Sequence, residues 1–366
     1  MVPKRVIQIV PARARRAEGV GDYARIVAEG LRADAEVETS FVSCTALAPA
    51  DRCDDGWETI ELSVRSAGAL SHSLDGLQAR YGSLPLLLHL SGYGFDRRGA
   101  PFWLARALRR WRRRNPSQKL VIVFHELFAN GPVFTRRFWL GRVQRFVTRA
   151  LQRISSAGIV TLGRNLRWLE GAGADAPPSY LSPCFATIGE TDTALEPASQ
   201  RAARLVIFGR TAVLPEIYGE WAEVLEAFVR ENAIVEIIDI GPRTAPPPGK
   251  IGGAIVTRMG ELDPATLRDA LSGARFGMLR YDADWLPKSS ILAAYCAHGV
   301  IPVCLSGQRG ESDGLLPGAN YLRLDREHPI PCPQLSEIDE LQRRAQAWYS
   351  PHSIDRTITL LRTLIG

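Results

Sequence analysis

No stretch of this sequence approaches the roughly 20 consecutive apolar residues that a bilayer-spanning helix needs. The start, Met1-Val2-Pro3-Lys4-Arg5, also lacks a signal-peptide core. Cysteine is sparse and unpaired in pattern. Cys44, Cys53, Cys184, Cys296, Cys304 and Cys332 form no Cys-x-x-Cys pair and show no metal-ligand spacing with the six histidines, so no metal is expected. They read as buried or free thiols in a reducing compartment, and the expected location is the cytoplasm. What remains is the composition of a soluble globular protein, 46% hydrophobic and 23% charged, and 366 residues imply two domains with separate cores.

Acidic residues are almost missing from one region. Between Arg106 and Arg167 there are fifteen Lys or Arg and a single acid, Glu126. Arg106, Arg109, Arg110, Arg112, Arg113 and Arg114 interleave with Trp103, Leu104, Leu108 and Trp111. Arg136, Arg137, Arg142, Arg145, Arg149 and Arg153 interleave with Phe138, Trp139, Leu140, Val143, Phe146, Val147 and Leu151. Two basic amphipathic helices are implied, with either an ordinary solvated face or a face for an anionic partner. The inner membrane surface is the expected partner, with the protein peripheral on it. Nucleic acid is set aside because no recognised motif accompanies the charge.

The chain opens with a strand at Arg5–Val10 and a loop reaching Gly19-Val20-Gly21-Asp22-Tyr23, before a helix from Tyr23 to about Leu31 with Asp22 as N-cap. Gly19 and Gly21 permit close backbone approach to a ligand or simply make a tight turn. No third glycine completes a dinucleotide fingerprint, which argues against a nicotinamide-dependent oxidoreductase. Strands at Val37–Val42, Leu86–Leu90, Lys119–Phe124 and Gly158–Leu162 alternate with helices, predicting an α/β protein with parallel sheets. Two polar clusters fall at the carboxyl ends of these strands: His89 with Ser91 and Tyr93, and His125-Glu126. Ligands in open α/β sheets bind at that edge, where a histidine beside an acid suits contact with a substrate hydroxyl.

Periodicity lapses from Pro183 to Arg201, which predicts a linker at 187–203 between domains spanning 1–186 and 204–350. The second half restarts with Arg204–Phe208, Gly209-Arg210, a helix from about Glu216 to Val229, and Val235–Ile240 followed by Gly241. Late in it, Phe276–Leu279, a polar loop Arg280–Pro287 containing Tyr281 and Asp282, and a helix opening with Lys288-Ser289-Ser290 form a strand-loop-helix unit. The free N–H groups of such a helix start, with Lys288 and two hydroxyls, suit an anion such as a diphosphate. The plain alternative is a serine cap beside a solvated lysine. The segment 351–366 has helical spacing and is expected to pack back on the first domain.

Gly19-Val20-Gly21-Asp22-Tyr23-Ala24, His125-Glu126, Gly209-Arg210 and Ala297-His298-Gly299, taken in order, resemble a GT-B glycosyltransferase of the family-4 type. The resemblance implies two Rossmann-like domains facing across a cleft, the first for the acceptor and the second for a nucleotide sugar. It implies a hexosyltransferase-like, metal-independent transfer with retention, no cofactor, and a UDP- or GDP-sugar donor. The acceptor it implies is a glycan or lipid-linked molecule of cell-surface polysaccharide or glycoconjugate assembly. His125 and Glu126 are then the catalytic candidates. Gly19, Gly21, Arg210, Lys288, Ser289 and Ser290 would meet the donor diphosphate, with Gly209, Gly241, Tyr281 and Asp282 near the nucleotide or sugar. Asp22, Tyr23, His89, Ser91 and Tyr93 would face the acceptor. The family's second glutamate is missing here, where Ala293-Ala294 stand. That departure supports the alternative of a catalytically inactive partner or regulatory subunit with the same fold.

Overall fold

The computed structural model describes residues 5–14, 19–191, 193–209, 213–242, 246–307 and 312–366. The chain divides into two compact units, one of residues up to Ser182 together with Asp355–Gly366, the other Pro183–Ile354.

The first unit carries strands β1 (Arg5–Val10), β2 (Glu38–Ser43), β3 (Glu58–Glu61), β4 (Leu86–Leu90), β5 (Leu120–Phe124), β6 (Ala157–Val160) and β7 (Ser179–Leu181). They form one sheet in the order β3-β2-β1-β4-β5-β6-β7, every pairing parallel. Helices α1 (Gly19–Ala35), α2 (Ala67–Tyr81), α3 (Gly92–Phe95), α4 (Phe102–Arg114), α5 (Arg136–Ile154) and α6 (Gly163–Glu170) connect them. β4 and β5 read as unbroken apolar runs because a parallel sheet covered by helices buries both faces, and all ten of their residues are buried. The strand order reverses at β1, whose neighbours are β2 and β4. Loops leaving such a reversal diverge, which opens a place for ligands at the carboxyl ends of β1 and β4.

The second unit repeats the architecture with β8 (Arg204–Phe208), β9 (Glu236–Ile240), β10 (Lys250–Ile251), β11 (Ala254–Gly260), β12 (Phe276–Arg280), β13 (Ile301–Leu305) and β14 (Leu322–Leu324). Their order is β10-β11-β9-β8-β12-β13-β14, with only the edge strand β10 antiparallel. Its helices are α7 (Leu214–Tyr218), α8 (Ala222–Glu231), α9 (Pro264–Ser272), α10 (Ser290–Ala297) and α11 (Leu335–Tyr349). The helix expected from Glu216 to Val229 is thus two, parted at Gly219. The last helix, α12 (Ile354–Ile365), contributes to the first unit: a Cβ at Gly30 of α1 would lie 2.6 Å from Ile358, and Thr357 shares a buried hydrogen bond with Ser182.

The segment expected as a linker, 187–203, is built into the second unit instead. Ala198 is fully buried and its N–H donates to Gln342 of α11, while Ser199 donates to Asp339. Its loss of periodicity reflects irregular backbone held by side chains rather than a free tether.

His352, 8% exposed and edge-on to Trp348 and Tyr349, has its imidazole pKa pushed by burial from 6.5 down to about 4. Above pH 6.5 the ring is neutral folded or unfolded, so no penalty applies. As pH falls towards 4 the unfolded chain takes up the proton and the folded one does not. Up to about 3 kcal/mol of stability is lost over that window. The thermal midpoint is expected to fall between pH 7 and 4, and a His352→Phe variant to show a flatter profile.

Candidate active site

In the first unit a row of buried polar groups crosses the sheet obliquely and reaches its carboxyl edge at His89 and His125. Thr39 near the start of β2, Gln8 within β1 and His89 on β4 are all buried. Gln8 Nε2 donates to Thr39 Oγ1 (3.4 Å), which leaves its Oε1 facing His89 Nε2 at 2.7 Å. His89 Nε2 therefore carries the proton and Nδ1 is an acceptor, 3.3 Å from Nε2 of His125 just past β5. Burial, reinforced by the neighbouring His125, lowers the His89 pKa well below 6.5, so this ring stays neutral. The row fixes the tautomer and orientation of His125, whose ring also meets Tyr23 edge-on at 4.8 Å. Beside it, Ser91 Oγ donates to Glu126 (3.1 Å), and the N–H groups of His125 and Glu126 both donate to Leu90 O.

Two of the residues expected to face the acceptor are placed otherwise. Tyr23 is 2% exposed and His89 0%, so they support His125 and present no surface of their own. Tyr93 is 48% exposed, on the short turn of α3, which packs closely because a Cβ at Gly94 would lie 2.8 Å from Pro11. Asp22 is not an N-cap, because α1 begins at Gly19 and places Gly19, Gly21 and Asp22 inside its first turn. Gly21 and Asp22 line a cavity of about 430 Å³ with Arg13, Arg25, Cys53 and Asp55. Arg13 is buried there, paired with Asp55 and stacked 3.9 Å over Phe41.

In the second unit Val213, Glu216, Arg280, Tyr281, Asp282, Trp285 and Lys288 line a cavity of about 430 Å³. Arg280 lies 3.6 Å from Glu216, and Lys288 Nζ sits 5.8 Å over the Trp285 ring. Residues Ala283–Lys288 form a 3-10 helix where a plain loop was expected, with Asp282 accepting from Asp284 N. Asp282 thus has a capping duty besides lining the cavity. Ser289 is the N-cap of α10, 5% exposed, its Oγ accepting from Leu292 N, which is the plain serine-cap reading. Ser290, the first residue of α10, is half-buried. Arg210 lies outside the described residues. Gly209 and Gly241 bring the ends of β8 and β9 together: Gly241 has φ 128°, and a Cβ there would lie 2.2 Å from Gly209 O. His298 and Gly299 of the Ala-His-Gly run end α10. His298 is buried with Nδ1 on Ala294 O, and Gly299 takes φ 64°.

Sequence reasoning missed Gln8, Thr39, Arg13 and Tyr295. For Gln8 the signal was a polar residue inside the run Val6–Val10. Tyr295 of α10 accepts from Phe208 N (3.3 Å) and donates to Met278 O (3.0 Å), tying that helix to the end of β8 and the middle of β12. Among the described residues, no group of three or more His, Cys, Asp or Glu could hold a metal ion.

No family model matches the chain, and no curated protein matches it. Solved structures do match over its whole length. The GtfA/B complex superposes with TM-score 0.63 at 11% identity, covering 99% of each chain. An alpha-glucosyltransferase in complex with UDP-glucose and DNA containing an abasic site gives TM-score 0.61 at 12% identity, covering 98% of this chain and 99% of that one. A putative UDP-N-acetylglucosamine 2-epimerase from Listeria monocytogenes gives 0.54 at 11% identity, covering 99% and 95%. The expectation that nucleic acid is no partner does not stand, because a chain of this same fold is found in complex with DNA, and the lack of a recognised motif is no ground for exclusion. At these identities the likeness speaks to architecture: the chain has the GT-B fold, two α/β units of the kind found in nucleotide-sugar glycosyltransferases.

Proposed function

We propose that the protein is a glycosyltransferase resembling family 4 that moves a sugar from a UDP-sugar to a hydroxyl of a glycan or lipid-linked acceptor, with retention and without a metal or cofactor. The observation that carries this reading is a full-length match to a glucosyltransferase holding UDP-glucose in a chain whose two sheets each end in a polar site. In the second unit Arg280 and Lys288 supply the positive charge that a leaving nucleoside diphosphate requires, and preorganised charge of this kind usually contributes more to catalysis than any other single effect. In the first unit His125, held by the buried row, meets the sugar, with Glu126 beside it. The acceptor reading rests on the cavity at Gly21 and Asp22 and on exposed Tyr93.

One feature favours a second reading, a partner subunit that keeps the fold without the reaction. Helix α10, Ser290–Ala297, has no carboxylate to take a ribose or sugar hydroxyl. The test is thermal stability with UDP, GDP, ADP and dTDP added in turn, beside Lys288→Ala. A ligand at a hundredfold its Kd stabilises by about 2.7 kcal/mol. The expected result is a shift with UDP that Lys288→Ala reduces sharply. Incubation with UDP-glucose and a hydroxyl acceptor should then release UDP. Release of an isomerised UDP-sugar instead would assign epimerase chemistry, and no shift with any diphosphate would favour the inactive partner.

A further inference from the structure

We propose that the paired helices α4 and α5 form a docking surface for an anionic lipid bilayer. This inference stands independently of sugar transfer.

Helix α5 has two apolar faces, and only one is used. Gly141, Gln144, Val147, Thr148 and Leu151 are buried against the unit. On the other side Trp139, Val143 and Phe146, spaced i, i+4, i+7, make a stripe along the helix that remains 60%, 41% and 66% exposed. Phe134 and Val133, in the turn before the helix, are 100% and 54% exposed, and Phe102 at the start of α4 leans on Phe146 with ring centroids 6.3 Å apart. Six large apolar side chains left in water on α5, the turn before it and the start of α4 exceed what scattered exposure accounts for.

Cations frame the stripe. Arg106 and Arg109 of α4 and Arg142, Arg145 and Arg153 of α5 line a groove of about 960 Å³ whose wall includes Phe102 and Phe146. Among the described residues none of these arginines pairs with a carboxylate; Arg114, at the far end of α4, is the one that does, with Asp75. Arginine forks match the oxygen geometry of a phosphate headgroup, while rings and aliphatic chains gain by leaving water at the acyl boundary. Aromatic rings among arginines also suit single-stranded nucleic acid, where bases stack on them. Phe134, wholly exposed, and the aliphatic Val133 and Val143 favour the bilayer, because side chains with no polar group gain most by leaving water at the acyl boundary.

The surface is coupled to the candidate active site within the same unit. A Cβ at Gly141 would lie 2.2 Å from Ala129 O, Gln144 accepts from Ala129 N, and Thr148 donates to Leu127 O. Helix α5 and the loop that follows His125-Glu126 are therefore tied to one another directly.

The test is flotation of the full chain with phosphatidylcholine vesicles, with and without phosphatidylglycerol, at low and high salt. Parallel titrations use a single-stranded and a duplex oligonucleotide. The protein is expected to float with anionic vesicles and much less with neutral ones, and salt should weaken the association. Trp139→Ser with Phe146→Ser should cut the bound fraction by about tenfold or more, and so should Arg106→Glu with Arg142→Glu. All four side chains lie at the surface, so thermal midpoints should be unchanged. Failure to float with anionic vesicles, or flotation untouched by both double variants, overturns the proposal. Oligonucleotide binding that is lost in the arginine variant, with no vesicle binding, would assign the surface to nucleic acid instead.

Discussion

Replacing His125 by alanine is expected to lower the transfer rate by on the order of 10²- to 10³-fold, the range for removing one positioned acid–base or charge-stabilising group. The stabilisation by UDP should stay essentially intact, because Arg280 and Lys288, the proposed source of charge for the diphosphate, belong to the other unit. The size of the effect follows from how much of the first unit is devoted to this ring. Thr39, Gln8 and His89 are buried polar groups in a covered sheet, each a liability of about 1–3 kcal/mol if left unpaired, and donation runs in one direction, from His125 Nε2 through His89 and Gln8 to Thr39. Buried polar groups seldom add stability over well-packed apolar residues, so the row points to a role in holding this ring. A rate within about tenfold of the parent protein, which is less than about 1.4 kcal/mol, would remove His125 from the reacting centre.

Gly241→Ala is expected to be the most destabilising single-methyl change in the second unit, at about 3–5 kcal/mol. Two costs coincide. The φ of 128° is one that residues with a Cβ rarely adopt, and the added carbon would lie 2.2 Å from the carbonyl oxygen of Gly209. Backbone cannot step aside as a side chain can, so the ends of β8 and β9 must separate. Gly253 is the internal control. Its φ is 98° with nothing within 4 Å of the added carbon, which leaves only the conformational cost of about 1–2 kcal/mol. Urea denaturation of both variants separates the two costs. Equal midpoints would mean that the close approach of the two strand ends carries no energy.

The elements that read clearly from the sequence were those whose pattern is local. Leu86–Leu90 and Leu120–Phe124 could only be covered strands, and the arginine-rich helices were plain from period and charge. The errors lie where distant residues decide. Asp22 has the chemistry of an N-cap, yet α1 starts at Gly19. Ser289 has the chemistry of a phosphate ligand and of a cap, and burial at 5% leaves it the cap. The stretch 187–203 looks like a tether because its order comes from Gln342 and Asp339, more than a hundred residues away in the chain.

By itself the sequence determined the α/β class, the repeated strand–helix plan and the position of polar residues at strand ends, because hydrophobic period and turn chemistry act over a few residues. It also determined the acid-free basic region. Only the tertiary structure decided that Thr39, Gln8, His89 and His125 form one row, since strand order, not sequence order, makes them neighbours. It alone decided which of two apolar faces of Arg136–Ile154 the unit buries. Packing has room for one face of a helix, and the side it leaves in water cannot be told from the periodicity that both sides share.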